Sequence, residues 1–335
     1  MRAVILNEQK PMEENPLELK EVEKPTPGQG EVRIKVNTCG VCHTDLHEIE
    51  GDLELPSLPV TPGHQIVGTI DDLGEGITDW APGTRVGVPW LYSTCQECEY
   101  CKSGLENLCE KAKFTGKDVD GGYAEYMIVP ADFIYSIPEG FPDLQAAPLL
   151  CAGIIGYRAL RLTDIHPGQN VGLYGFGASA HVTIQVANYW DCDVYVFTRS
   201  DEHRRHAEEL GAVWTGGSKD DPGTEMDGSI IFAPAGEIVI DALRVLRKGG
   251  TVTCAGIHMS NIPEFEYSLI YGERTLQTVA NSTRQDAQEL LQLAAEIPIR
   301  TDVEVYSLEN VNKVLNLVKE SRIRGAAVLK INNDD

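Results

Sequence analysis

The sequence predicts an α/β protein in two parts: a mostly-β unit, then a doubly wound, parallel-sheet unit. Three observations predict this. Short alternating runs such as 31-EVRIKVNTCG-40 crowd the first 150 residues between glycines and prolines. After Cys151, apolar strands alternate with helical segments, the rhythm of a parallel sheet with right-handed crossovers. The length of 335 residues suits about two domains of roughly 150 residues each.

In order, 64-HQIVGTIDDLG-74 and 84-TRVGVPWL-91 read as strands ended by turns, and 123-YAEYMIVPADFIYSIPEG-140 continues the pattern, with loops carrying function. The second unit begins with the helical spacing of 152-AGIIGYRALRLTDI-165 and the turn 166-HPGQN-170. There follow a strand in 171-VGLYGFG-177, a helix in 178-ASAHVTIQVANYW-190, the strand 193-DVYVFTRS-200 and the helix 201-DEHRRHAEELGA-212. The same rhythm continues as strand 228-GSIIFAPAG-236, helix 237-EIVIDALRVLRKGG-250 and strand 251-TVTCAGI-257. Two amphipathic segments, 285-QDAQELLQLAAEIP-298 and 307-SLENVNKVLNLVKESR-322, precede a last strand in 323-IRGAAVLKI-331. Ser307 and Asn310 stand where a helix start is expected.

The net charge of −23 argues against nucleic acid or an anionic membrane surface as partner, since both select a basic face. The apolar start MRAVIL is too short for a signal sequence, and no apolar run reaches about 18 residues. A cytoplasmic protein is expected. In that compartment the grouped cysteines among the nine present point to metal rather than to disulfides.

The run Gly175-Phe176-Gly177-Ala178-Ser179-Ala180 is a G-x-G-x-x-A between an apolar strand and a helix. Glycine lets the backbone turn tightly and approach a pyrophosphate, whose charge sits on the helix N-terminus. A tight strand–helix turn that binds nothing has the same local pattern. The next strand ends in Thr198-Arg199-Ser200, without the carboxylate that holds a ribose 2′-hydroxyl. A guanidinium and two hydroxyls suit a 2′-phosphate instead, which predicts NADP(H) over NAD(H).

Cys42, His64 and Cys151 form a Cys₂His set, one ligand short of a closed tetrahedron, as in catalytic zinc sites with an open position. Taken singly, each is ambiguous, because a lone buried cysteine is usually packing. The segments 39-CGVCHTDLHEIEGD-52, 62-PGHQIVG-68, 121-GGYAEYMIVP-130, 148-PLLCAGIIGY-157, 175-GFGASAH-181 and the closing 322-RIRGAAVL-329 carry them together. With the four-cysteine lobe they resemble the zinc-dependent alcohol dehydrogenases of the medium-chain dehydrogenase/reductase superfamily over nearly the whole chain. GFGASAH and VFTRS look most like the bacterial and archaeal cinnamyl-type or propanol-preferring branch.

The resemblance implies a GroES-like catalytic domain (1–150 with 296–335), a Rossmann domain inserted at 151–295, and an active site where they meet. It implies a small alcohol, aldehyde or ketone as substrate, NAD(P) as hydride carrier, about two zinc ions per chain, and a dimer or tetramer. Cys42, His64 and Cys151 match the catalytic zinc ligands. Cys95, Cys98, Cys101 and Cys109 match a structural zinc site that orders a loop; a zinc ribbon or a metal-free loop has the same raw ingredients. Thr44 matches the hydroxyl that takes the alcohol's proton, and His47 the surface end of that relay. Asp45 matches the carboxylate that orients His64. His43 and Arg324 match cationic contacts to the pyrophosphate, and Trp90 a wall of the substrate pocket.

Two departures stand out. Relatives usually carry Glu after the metal-binding His, and here it is Gln65, a neutral isostere. Catalysis is expected to survive, because Gln65 is not one of the three ligands. Ile155 stands where many relatives have a Thr contacting the nicotinamide. Cys39, Cys192 and Cys254 read as packing, and His166, His181, His203, His206 and His258 receive no metal role. A polyol substrate, or a cofactor-binding relative without activity, are the alternative readings.

Overall fold

The computed structural model describes residues 1–297 and 299–332. The chain divides into two compact units. The first comprises Met1–Cys151, Thr283–Ala295 and the stretch from Arg300; the second comprises Ala152–Ser282 and a short segment beginning at Glu296.

In the first unit, Glu31–Val41 is the organising strand. It pairs antiparallel with Gln65–Leu73, Tyr126–Pro130 and Ala326–Lys330. The sheet runs Val303–Ser307, Ala326–Lys330, Glu31–Val41, Gln65–Leu73, Arg85–Val88, Tyr135–Ser136. The alternation of Val32, Ile34 and Val36 places one face of the long strand in a core with Ile66, Ile70, Val86, Tyr123 and Met127. Helix Val311–Lys319 closes that core with Val314, Leu315 and Val318.

The second unit is a parallel sheet in the order Trp214–Gly216, Asp193–Phe197, Asn170–Tyr174, Met226–Ile231, Leu246–Cys254, Thr275–Thr278. Tyr174 stacks on Phe197 at 4.2 Å, and Val239, Leu243 and Val252 fill the same core. The order reverses outward from Asn170–Tyr174, so the turn after that strand lies at the switch point where open sheets bind ligands.

Three differences from the sequence reading have physical reasons. Helix Glu237–Arg244 ends earlier than expected, and the next strand begins at Leu246 rather than Thr251. Leu246 is fully buried and pairs with Met226 across a bulge, which recruits the segment to the sheet. The start MRAVIL forms a strand, Arg2–Leu6, paired with Leu17–Glu21. Finally, helix Arg284–Glu296, placed by the sequence boundaries in the 151–295 unit, groups with the first unit as far as Ala295. Its first residue explains why: the Arg284 backbone and Nε both donate to Glu106 Oε1, at 2.9 and 3.4 Å, and the guanidinium lies over the Phe133 ring.

The start of that helix is a buried reciprocal cap. Asp286 Oδ2 accepts from the Thr283 backbone at 2.8 Å and from its hydroxyl at 2.7 Å, while Asp286 N donates back to Thr283 Oγ1 at 3.1 Å. Removing the carboxylate strands buried donors. Asp286→Ala is expected to destabilise the first unit by about 2 kcal/mol, read from the urea midpoint, and Asp286→Asn, which keeps an acceptor, by less.

Candidate active site and metal centres

His64 reaches its place because Gly63 precedes it. Gly63 sits at φ +97°, and a Cβ there would lie 2.5 Å from the Tyr123 ring. Only glycine allows the chain to press this closely against Tyr123 and turn into strand Gln65–Leu73. Cys42 follows the long strand and immediately precedes helix His43–Glu50. Cys151 follows the 3-10 turn Ala147–Leu150.

The ligand atoms of Cys42, His64 and Cys151 all lie within 4.8 Å of one another. Cys42 Sγ is 3.3 Å from His64 Nε2. Zinc bonds of about 2.0 Å to nitrogen and about 2.3 Å to sulfur set ligand edges of about 3.5–3.8 Å, so the trio fits such an ion. The contact with Cys151 and then burial hold the Cys42 thiol well above its ordinary range. A dication reverses that preference.

Asp45 braces both sides of this trio from full burial. Its Oδ2 accepts from the Cys42 backbone N–H at 2.9 Å, and its Oδ1 lies 3.1 Å from His64 Nδ1. The imidazole is thereby oriented with Nε2 toward Cys42. The net effect of Asp45 and Cys42 holds His64 well above the usual imidazole range, against a large opposing desolvation by burial.

Thr44 is buried one position before Asp45. His47, a turn on, is partly exposed and places Nδ1 2.8 Å from Asp52 Oδ2. The Trp90 ring lies 6.2 Å from His64 and stacks on Phe114 at 4.3 Å. Thr44, Asp45 and His47 sit on the helix His43–Glu50, not on one of the loops the sequence suggested would carry function. Gln65 is buried and packs over Gly40, where a Cβ would come within 2.9 Å of it.

The sequence reading missed Glu48. Its carboxylate joins Asp45 and His64 in a second cluster whose atoms lie within 4.8 Å of one another. Trp90 Nε1 donates to Glu48 Oε1 at 3.0 Å. Burial pushes the carboxyl up to about 8. The available signal was its spacing: Asp45 and Glu48 stand at i and i+3, the same face once the segment is known to be helical.

In the four-cysteine lobe, Sγ separations are 3.5 Å for Cys98–Cys101, 3.5 Å for Cys109–Cys95 and 3.9 Å for Cys95–Cys101. Backbone N–H groups of Cys98 and Cys95 point at Cys95 Sγ and Cys109 Sγ, at 3.4 and 3.5 Å. Those edges match a closed thiolate tetrahedron. The backbone hydrogen bonds from Glu97 and then Cys98 draw the Cys95 thiol down to about 6. Cys98 rises to about 11, because desolvation and its hydrogen bonds to Cys101, Cys95 and Cys109 outweigh a favourable backbone bond from Cys101.

In the second unit, Gly175 turns at φ +89° after strand Asn170–Tyr174, and Gly177 precedes helix Ala178–Tyr189 with no side-chain cap. The first-turn N–H groups at Ala178, Ser179 and Ala180 are thus presented to an anion. Thr198 is buried, and its backbone N–H donates to Gly216 O at 2.7 Å. Arg199 is exposed, and Ser200 Oγ accepts from His203 N at 3.3 Å to start the next helix. His181 packs on His206 at 6.0 Å rather than opening onto solvent. His43 and Arg324 are exposed residues of the first unit; Arg324 Nε lies 3.5 Å from Asp302.

A model of the alcohol dehydrogenase GroES-like domain matches residues 28–139, and one of the zinc-binding dehydrogenase domain matches 180–296. The chain is 42% identical over 327 residues to a probable alcohol dehydrogenase AdhA of Mycobacterium tuberculosis, covering 96% of this chain and 94% of that protein. It is 38% identical over 341 residues to an alcohol dehydrogenase of Geobacillus stearothermophilus, covering 99% and 100%. A cinnamyl alcohol dehydrogenase structure from Sorghum bicolor superposes with a TM-score of 0.91 at 28% identity, covering 100% of this chain and 99% of that one. Among the described residues, no helix is long and apolar enough to cross a membrane.

The two thiol values give a test of the lobe. In chelator-treated protein at pH 7, iodoacetamide is expected to label Cys95 well ahead of Cys98, because the thiolate is the reactive form. The Cys95 rate should fall only as pH drops through about 6. Peptide mapping that found equal labelling at pH 7 would contradict this assignment.

Proposed function

Because the chain belongs to the zinc-dependent alcohol dehydrogenases of the medium-chain dehydrogenase/reductase superfamily, we propose that it interconverts primary or secondary alcohols with aldehydes or ketones, using NADP(H), at a zinc held by Cys42, His64 and Cys151. The observation that carries this reading is the convergence of two thiols and an imidazole, with the imidazole braced by a buried carboxylate. A zinc ion there supplies Lewis acidity that lowers the pKa of an alcohol hydroxyl and so favours hydride transfer to the nicotinamide.

The remaining work falls to the chain's own groups. Thr44 Oγ1 takes the hydroxyl proton and passes it toward the His47 ring, which Asp52 orients at the protein surface. Asp45 keeps His64 facing the metal. Trp90 walls the pocket beside His64 and excludes water, and its large indole favours small or planar substrates. Cys95, Cys98, Cys101 and Cys109 hold a second zinc that orders their loop, with no position left for substrate.

For the cofactor, the pyrophosphate suits the glycine loop and the uncapped helix at Ala178. Arg199, exposed at the end of its strand, suits a 2′-phosphate, and Arg204 lies close by, its Nε donating to Thr198 O at 3.1 Å. Its NH1 also meets Asp201 at 3.3 Å, which partly neutralises it.

The test is a screen of aliphatic, allylic and aromatic aldehydes with NADPH and NADH, run with and without a chelator. NADPH should give the higher kcat/KM, Arg199→Asp should shift preference toward NADH by about tenfold or more, and chelation should abolish turnover. A clear preference for NADH, or full activity in zinc-free protein, would overturn the reading. Thr44→Ala should lower kcat by about 10²–10⁴-fold with zinc content unchanged, as loss of a proton-transfer group does.

A further inference from the structure

We propose that Asp52 is a positioning residue of the proton path: it holds His47 in the tautomer that carries hydrogen on Nδ1, so that Nε2 is the atom that takes the proton on its way to solvent. The inference deepens the reading of His47 as the surface end of the relay, and it rests on that reading.

The pair is built by the way its helix ends. Helix His43–Glu50 stops at Gly51, whose left-handed φ of +91° turns the chain back on itself. The Leu53 backbone N–H then donates to His47 O at 2.9 Å, which closes the reversal over the helix's last turn. A second segment braces it: Gln9 Nε2 donates to Glu48 O at 2.6 Å and to Leu53 O at 2.8 Å, and Lys10 N donates to Ile49 O at 3.0 Å. Asp52 stands within this reversal, and its Oδ2 comes to 2.8 Å from His47 Nδ1.

A carboxylate only accepts hydrogen bonds, so the ring nitrogen that faces it carries hydrogen. In a neutral imidazole the other nitrogen, Nε2, then holds the basic lone pair. A proton released by the alcohol and passed on by Thr44 forms a bond to Nε2, giving an imidazolium with both nitrogens protonated. Loss of the Nε2 proton to water restores the starting tautomer, so the ring need not flip between turnovers. In the opposite tautomer Nε2 would already carry hydrogen and could not take the proton. The His47 side chain is 18% exposed and that of Asp52 48%, so water competes for the carboxylate. Its contribution is therefore expected to fall well short of the about 10⁴-fold that a buried aspartate gives a catalytic histidine.

The experiment uses zinc-loaded enzyme with isotope-labelled histidine, and His47→Gln assigns the signals of that ring. At about pH 8, above the ordinary imidazole range, long-range proton–nitrogen NMR spectra should show His47 as the Nδ1–H tautomer. Asp52→Ala should move it toward Nε2–H, and Asp52→Glu should return it toward Nδ1–H. In alcohol oxidation, Asp52→Ala should lower kcat by about tenfold with KM and zinc content unchanged, and should raise the solvent deuterium isotope effect on kcat. Asp52→Glu should recover part of the loss. A role confined to ending the helix would move thermal stability and leave kcat and the isotope effect in place. An Nε2–H tautomer in the wild type, or wild-type kcat in Asp52→Ala, would overturn the role of Asp52. The wild-type tautomer decides even if Asp52→Ala fails to fold. If His47→Gln also turns over at the wild-type rate, the relay reading falls too; if His47→Gln is slow while Asp52→Ala is not, the relay stands and only the part given to Asp52 is lost.

Discussion

The carboxylate of Asp45 is the constraint on which the site depends. One oxygen fixes the backbone at Cys42 and the other faces the far side of the His64 ring, so two ligands from different strands are held by one buried group. Neither strand could do this alone. Cys42 follows the long strand of the sheet and His64 precedes its neighbour; their register, with Gly40 opposite Gln65, brings the two chain ends to the same edge. The glycines follow from that closeness. Gly40 leaves room for the Gln65 side chain, and Gly63 leaves room for Tyr123.

The two cysteine sets offer a cation opposite surroundings. Four thiols around a short loop could close a tetrahedron and would leave no open position. Two thiols and an imidazole leave a corner open. The difference also shows in the surroundings. The lobe satisfies its sulfurs with backbone N–H groups near the surface, which favours thiolate without help from burial. The three-residue set is instead backed by buried carboxylates and an indole, where electrostatic effects reach the ligands with little screening.

The parts of this architecture encoded by spacing were legible in the sequence. Cysteines with two, two and seven residues between them, a glycine run between strand and helix, and alternating apolar runs each carry their geometry in the interval between residues. What the sequence hid was encoded by packing. The segment 43-HTDLHEIE-50 reads as a chain of reactive groups, and its helical state is fixed by Leu46 and Ile49 facing the core. Without that helix, Glu48 looks like one more surface acid among 51 acidic residues, and its burial against Trp90 leaves no mark in composition. The early strand at Leu246 was hidden for a similar reason: it depends on a partner, Met226, and on a bulge that periodicity does not register.

The overall charge of −23 is at first sight a poor match for a phosphate-bearing cofactor. Range resolves the conflict. At physiological ionic strength exposed charges are screened over about 8 Å, so the distant acidic surface contributes little at the glycine loop. What counts there is local: the uncapped N–H groups after Gly177, the exposed Arg199, and a strand end that carries no carboxylate. An acidic exterior disfavours polyanions at long range, while a few fixed positive groups act on an anion at short range. The same division of labour operates at the metal. The net charge is negative, but the groups that act on a cation at His64 are those within a few ångströms of it.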